Sequence, residues 1–149
     1  MRERINDSLK QAIKAQDKRR VGTLRLITAA IKDRDIAARS AGRDAVSDTD
    51  ILEILAKMVK QRQESAVTYE DAGRPELANQ EREEIVIIQD YLPAQMDDEA
   101  VNAAVKAVVA EIGAESLKDM GRTMAALKER YTGEMDFRKA NLVVKDLLS

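Results

Sequence analysis

Residues 51–93 decide the fold, with the sequence ILEILAKMVKQRQESAVTYEDAGRPELANQEREEIVIIQDYLP. Apolar residues recur in it at intervals of three and four, which is typical of α-helices with one buried face. Gly73 suits the left-handed position that ends a helix, and Pro75 suits the first turn of the next helix. The stretch therefore predicts two helices that form an antiparallel hairpin. The first ends near Ala72 and the second ends before Pro93.

Charged residues occupy the apolar side of both hairpin helices. Arg62 falls in the middle of the apolar arc of the first helix, and Glu81 and Glu84 fall within the arc of the second. In an antiparallel hairpin turning at Gly73, Arg62 faces Glu84. Because a half-buried charge without a partner is strongly destabilising, we predict an internal Arg62–Glu84 ion pair, with Glu81 as second choice. A catalytic carboxylate held by Arg62 is the less favoured alternative, since no base, nucleophile or metal ligand set accompanies it.

Helix periodicity and capping residues predict seven helices in all. The third begins at Ser47, which opens a Ser-x-x-Asp capping box. The remaining predicted helices are a first around residues 5–13, a second at about 19–40, a fifth from Asp97 or Asp98 to Gly113, a sixth from Ser116 to Gly133, and a seventh from Asp136 onward. Leu26 lies opposite the other apolar residues of the second helix, so we expect this helix to be central. The sequence predicts an all-α fold with an N-terminal four-helix unit at residues 1–93 and a C-terminal three-helix unit at residues 94–149.

The composition argues against several kinds of functional site. The 149 residues include no Cys and no His, so disulfides, thiol nucleophiles, the commonest general base and the commonest metal ligand are absent. We therefore predict no catalytic residues, no metal and no cofactor. The first residues are charged at Arg2, Glu3 and Arg4, and no long apolar run follows them. We expect neither a signal peptide nor a membrane span, and we expect a cytoplasmic location.

Basic residues are concentrated at the start of the chain. Residues 1–40 contain eleven Lys or Arg and five Asp or Glu, whereas residues 47–100 contain five and fourteen. Such asymmetry favours a nucleic-acid-binding face. The alternative is that the two segments pack together and neutralise each other.

Several cations are candidates for binding phosphate. In the second helix Lys18, Arg25, Lys32 and Arg39 recur every seven residues and share one side. Lys118 and Arg122 fall in a predicted first helical turn, where free N–H groups favour anions. The candidate RNA-binding residues are Arg25, Lys32, Lys60, Arg74, Lys118 and Arg122, and for each of them a solvated face with local ion pairs is the alternative. Only four residues are aromatic, so we expect contacts to phosphates and to shape rather than stacking on single-stranded bases.

Four motifs carry a resemblance to a known family. They are Leu24-Arg25-Leu26-Ile27 through Ala30-Ile31-Lys32; Lys57 through Ser65 followed by Ala72-Gly73-Arg74; Glu84-Ile85 before Tyr91-Leu92-Pro93; and Asp119-Met120-Gly121 before Gly133-x-x-Asp136. In their order and spacing they resemble the GatB/YqeY family, specifically its free-standing YqeY-like members, over nearly the whole chain. Such members are similar to the helical and tail domains of the B subunit of the glutamyl/aspartyl-tRNA amidotransferase.

The resemblance implies a two-part all-α fold and a link to glutamine-dependent carbon–nitrogen ligation on misacylated tRNA. In the amidotransferase the tail holds tRNA, while the chemistry belongs to an amidase subunit and to a separate phosphorylating site. Neither is present here, so the expected function is that of a non-catalytic, tRNA-associated accessory module. The alternative is a protein–protein adaptor that docks on an amidotransferase or an aminoacyl-tRNA synthetase without touching RNA. The expected partners are tRNA and these enzymes, and neither DNA nor a membrane.

Overall fold

The computed structural model describes all residues, Met1–Ser149, and every regular element in it is helical. The helices are α1 (Arg2–Lys14), α2 (Lys18–Ser40), α3 (Asp48–Asp71), α4 (Pro75–Gln89), α5 (Asp98–Ile112), α6 (Met120–Tyr131) and α7 (Phe137–Leu148), with a 3-10 turn, Leu117–Asp119, before α6. The seven helices confirm the predicted all-α fold. None of them combines the length and the apolar character that crossing a lipid bilayer requires.

The first compact unit, Met1–Pro93, contains α1 to α4 around one apolar core. Helix α2 contacts each of the other three helices and contributes Leu24, Ile27 and Ile31 to that core. The predicted central position of α2 is therefore confirmed, but the side of the helix that carries Leu26 is not covered, because Leu26 is 49% exposed. The neighbouring helices pack against the side of α2 that carries Leu24, Ile27 and Ile31, so the opposite side faces solvent.

Local capping interactions fix the ends of the α3–α4 hairpin. The Asp50 N–H donates to the Ser47 hydroxyl at 3.3 Å and the Ser47 N–H donates to the Asp50 carboxylate at 3.2 Å, which forms the predicted capping box. Gly73 has φ +72° directly after α3, and Pro75 is the first residue of α4. The hairpin therefore turns at the residues that predicted it.

The ion pair inside this hairpin is the one that the sequence predicted. Arg62 Nε lies 2.8 Å from Glu84 Oε2, and the two side chains are only 13% and 21% exposed. Arg62 Nη1 also donates to the backbone carbonyl of Met58 at 3.2 Å. Arg19 of α2 approaches the other Glu84 oxygen at 4.0 Å. The guanidinium and the carboxylate therefore satisfy each other where α3 and α4 face one another.

The second compact unit, Ala94–Ser149, contains α5, α6 and α7, each in contact with the other two. Its core is aliphatic, and its most deeply buried members are Val105, Val108, Leu127, Ala140 and Val144. Asp97 accepts the Ala100 N–H at 2.8 Å at the start of α5, and Gly113 ends that helix with φ +67°. Asp136 accepts the Arg138 N–H at 2.9 Å at the start of α7. The predicted capping residues thus begin both helices, and the predicted glycine ends α5.

Candidate functional site

A groove of about 460 Å³ lies between α1 and α2 in the first unit. Helix α1 contributes Arg2 and Asn6 to its walls, and α2 contributes Arg25, Thr28, Ala29, Ile31, Lys32 and Asp35. Three of these side chains are basic and one is acidic. The groove therefore brings together two of the predicted phosphate-binding residues, Arg25 and Lys32.

The one carboxylate in the groove is already fully engaged. Arg2 donates to both oxygens of Asp35, at 2.8 and 3.0 Å, and the Val46 N–H donates to the same carboxylate at 3.0 Å. The Arg2 hydrogen bond, assisted by the one from Val46, lowers the pKa of Asp35 below its ordinary range. The same hydrogen bond raises the pKa of Arg2. This interaction ties α1, α2 and the segment before α3 together, and it neutralises Arg2.

Arg25 and Lys32 remain as the two uncompensated charges of the groove. Both side chains are exposed, and neither forms an ion pair within the chain, whose pairs in this unit are made by other cations. They are seven residues apart on one helix, so they lie about 10 Å apart along its axis. An anionic ligand in the groove can therefore contact two free cations without displacing a carboxylate.

Other arginines account for the charge neutralisation between the basic start of the chain and its acidic middle. The pairs are Arg19–Glu83 at 3.2 Å, Arg20–Asp90 at 3.4 Å and Arg34–Glu53 at 3.3 Å. All three arginines belong to α2 and reach towards α3 or α4. Internal neutralisation thus holds for these three residues and does not include Arg25 or Lys32.

Two predicted residues of the first unit lie outside the groove. Lys60 is on the exposed side of α3, and it has no ion pair in the structure. Arg74 immediately precedes α4; its N–H donates to the Tyr69 carbonyl at 2.8 Å while its side chain is exposed. Neither residue lines the α1–α2 groove.

In the second unit, a carboxylate of the chain already occupies the predicted anion-binding turn. Asp119 accepts the Glu115 N–H at 2.9 Å and the Ser116 N–H at 3.4 Å, and the first of these bonds contributes most to lowering its pKa. Arg122 donates to the same carboxylate at 3.1 Å, whereas Lys118 is exposed and has no ion pair. Ser116 occupies the predicted capping position before the 3-10 turn Leu117–Asp119, and the α-helix itself begins after that turn, at Met120.

The sequence did not indicate the groove itself. Its walls depend on how α1 packs on α2, and Arg2 and Asp35 are 33 residues apart, beyond any local spacing rule. The signal that was present is the seven-residue recurrence from Lys18 to Arg39, which places Arg25 and Lys32 on one side of α2. That recurrence predicted that Arg25 and Lys32 share one face of α2, but it could not show that α1 forms the other wall of the groove.

Comparison with known proteins identifies a family for almost the entire chain and curated relatives for about 60% of it. A family model described as Yqey-like protein matches residues 2–148. Three curated relatives are named Altered inheritance of mitochondria protein 41, mitochondrial. The protein of Vanderwaltozyma polyspora is 32% identical over 59% of this chain and 46% of its own length, that of Eremothecium gossypii 33% over 60% and 48%, and that of Clavispora lusitaniae 34% over 61% and 52%. The matched part of the chain spans about half the length of these relatives.

This comparison contradicts the predicted cytoplasmic location, because each of the three relatives is named as a mitochondrial protein. The prediction used the absence of cysteine, which separates oxidising from reducing surroundings and does not separate one reducing compartment from another. The predicted cytoplasmic location is therefore wrong by comparison with these three relatives.

Proposed function

This chain belongs to the YqeY-like protein family, and on that premise we propose that it is a non-catalytic accessory module that binds tRNA through backbone phosphates. The observation that supports the proposal most is the α1–α2 groove, where Arg25 and Lys32 are exposed and unpaired beside a carboxylate neutralised by Arg2. YqeY-like proteins resemble the helical and tail domains of the amidotransferase B subunit, and for this reason we propose tRNA as the anionic ligand.

The two groove cations have different roles in this proposal. A guanidinium presents a planar fork that donates two parallel hydrogen bonds to one phosphate, so Arg25 fixes the orientation of the backbone. A lysine ammonium acts as a mobile point charge, so Lys32 contributes attraction with little directional demand. Phosphate contacts of this kind set position and affinity and carry no sequence information.

The other predicted residues contribute unequally. Lys60, Arg74 and Lys118 are exposed cations without an ion pair, and each is available to a phosphate. Arg122 must first give up part of its 3.1 Å bond to Asp119, and the negative charge of Asp119 opposes a nearby phosphate. We therefore rank Arg122 last among the six candidates.

The role proposed for the chain is to hold and position RNA, while a partner enzyme performs any bond chemistry. The chain offers no His or Cys to act as base or nucleophile. The Arg62–Glu84 pair belongs to the packing of the α3–α4 hairpin, where both groups already satisfy each other.

The second candidate function is docking on an amidotransferase or an aminoacyl-tRNA synthetase without RNA contact. It is favoured by two apolar side chains on the outer side of α2, since Leu26 and Ile36 are 49% and 58% exposed. A protein partner would cover such residues, and the gain would come from apolar burial. The two functions therefore differ in how binding depends on salt.

Electrophoretic shift of total tRNA by the full chain at several salt concentrations tests the proposal. Each phosphate contact contributes roughly −0.7 to −0.9 to the slope of log affinity against log salt concentration. Contacts by Arg25 and Lys32 alone give a slope of about −1.4 to −1.8, and additional cations make it steeper. Absence of any shift even at about 50 mM salt, the lowest concentration of the series, would reject the RNA function and leave the adaptor.

A further inference from the structure

The outer side of α2 carries a ridge on which basic residues alternate with residues that lack a polar side chain. The ridge residues are Lys18, Gly22, Arg25, Ala29, Lys32, Ile36 and Arg39, and all seven are exposed. The four cations follow each other every seven residues, which places them about 10 Å apart along a line of about 30 Å. None of the four forms an ion pair within the chain, although Arg39 adds a weaker attraction to Asp35.

Gly22 within this ridge has no explanation inside the fold. Glycine inside a helix is unfavourable compared with alanine, so a helical glycine calls for a steric or conformational reason. The glycines at 42, 73, 113 and 133 all have positive φ, which is such a reason, but Gly22 in α2 and Gly121 in α6 are helical. A Cβ built on Gly22 would meet nothing within 4 Å. The absence of a side chain at Gly22 therefore makes room for no neighbour within the chain. It leaves the helix surface between Lys18 and Arg25 without a protruding side chain.

The ridge and the adjacent groove contain no aromatic side chain. The four aromatic residues belong to other parts of the chain, at Tyr69, Tyr91, Tyr131 and Phe137. Proteins that bind single-stranded RNA stack unpaired bases on such side chains, whereas duplex RNA is recognised by shape and by its backbone. Cations spaced along one helix also suit a ligand whose phosphates are already held in place, because a flexible strand loses conformational entropy on binding.

We propose that the α2 ridge binds a double-stranded RNA stem, with phosphates of its two backbones contacting Lys18, Arg25, Lys32 and Arg39. The ribose–phosphate backbone approaches the helix most closely at Gly22. The minor groove of A-form RNA is wide and shallow and displays both backbones. This proposal rests on the proposed function and specifies the part of the RNA that is recognised.

The test measures fluorescence anisotropy of three labelled ligands with the full chain at one low salt concentration. The ligands are total tRNA, a blunt RNA duplex of about 20 base pairs, and an unstructured single strand of the same length. The duplex is longer than the roughly 16 base pairs that duplex-binding modules span. We expect the duplex to bind within about threefold of tRNA and about tenfold more tightly than the single strand, since only a rigid stem matches the ridge.

A variant that changes no charge separates close approach from general attraction. Gly22→Gln adds a side chain that protrudes from the ridge into open space. Ala103→Gln adds the same side chain at an exposed position of α5. We expect Gly22→Gln to weaken duplex binding about fivefold to tenfold, as for the loss of one charge-assisted contact, without lowering the melting temperature. Ala103→Gln should bind the duplex like the unmodified chain.

The outcomes separate the two proposals. If tRNA binds in a manner that depends on Arg25 and Lys32, but the single strand binds as tightly as the duplex, the stem proposal is overturned and the tRNA function stands. Duplex binding unchanged in Gly22→Gln also overturns it. If tRNA is not bound at all, both proposals fall.

Discussion

Replacing Arg62 by alanine should destabilise the first unit by about 3 kcal/mol, because it leaves the Glu84 carboxylate half-buried without its partner. Breaking a buried pair by removing one member costs about 3–5 kcal/mol. The structure favours the lower end, because Glu84 is 21% exposed and keeps Arg19 at 4.0 Å. The bond from Arg62 to the Met58 carbonyl is lost as well, but that oxygen remains in a helix.

A control within the same hairpin separates this burial effect from ordinary charge pairing. Arg82 pairs with Glu70 at the surface, with side chains 47% and 46% exposed. Exposed pairs contribute about 0–1 kcal/mol, so Arg82→Ala should lower the free energy of unfolding by less than about 1 kcal/mol. Replacing both buried partners, as Arg62→Met with Glu84→Leu, should recover most of the loss, because no unpaired charge remains.

Urea unfolding followed by circular dichroism measures these changes, and hydrogen exchange of the α4 amides assigns them to the first unit. The unfolding midpoint should fall for Arg62→Ala at an unchanged dependence on urea. If Arg62→Ala and Arg82→Ala have the same effect within about 0.5 kcal/mol, the internal pair is no more important than a surface one. In that case the reasoning from burial is refuted.

Three further changes test separate features of the first unit. The pKa of Asp35 is lowered from 3.8 by Arg2, so their bond stabilises the fold above that value and is lost as pH falls through the lower, folded-state pKa. The stability advantage of the unmodified chain over Asp35→Asn should therefore shrink below about pH 4 in acid-unfolding series, and a difference independent of pH would contradict this. Thr23 is 1% exposed and its hydroxyl has no hydrogen-bond partner, so Thr23→Val should raise the free energy of unfolding by about 1 kcal/mol. A loss of stability in urea would show that the hydroxyl is satisfied. Gly22→Ala should raise the free energy of unfolding by about 0.5–1 kcal/mol, as helix propensity alone predicts. A lower melting temperature would mean that the fold requires this glycine.

The sequence predicted those parts of the structure that depend on local patterns. Apolar periodicity identified the buried faces of α3 and α4, and the turn at Gly73 set which positions face each other. The Arg62–Glu84 pair followed from these two facts alone, although the residues are 22 positions apart. Capping by Ser47 was predicted equally well, because a capping box is defined within four residues.

Features that depend on tertiary packing could not be predicted in this way. The exposure of Leu26 follows from the placement of α1, α3 and α4 on one side of α2, which periodicity does not determine. The neutralisation of Arg2 by Asp35 likewise requires knowing that α1 lies against the end of α2. The site therefore appeared in the sequence as a row of cations and only in the structure as a groove with two uncompensated charges.

The most direct test of the proposed function compares two charge-removing double variants for binding to total tRNA. Arg25→Ala with Lys32→Ala removes the free cations of the groove, while Lys57→Ala with Lys106→Ala removes two exposed, unpaired cations elsewhere. Both change the net charge equally and should leave the melting temperature nearly unchanged. The groove variant should bind tRNA more weakly and show a salt slope about two units shallower, whereas the control should retain the slope of the unmodified chain. Equal binding by the two variants would contradict the proposed tRNA function and favour the adaptor.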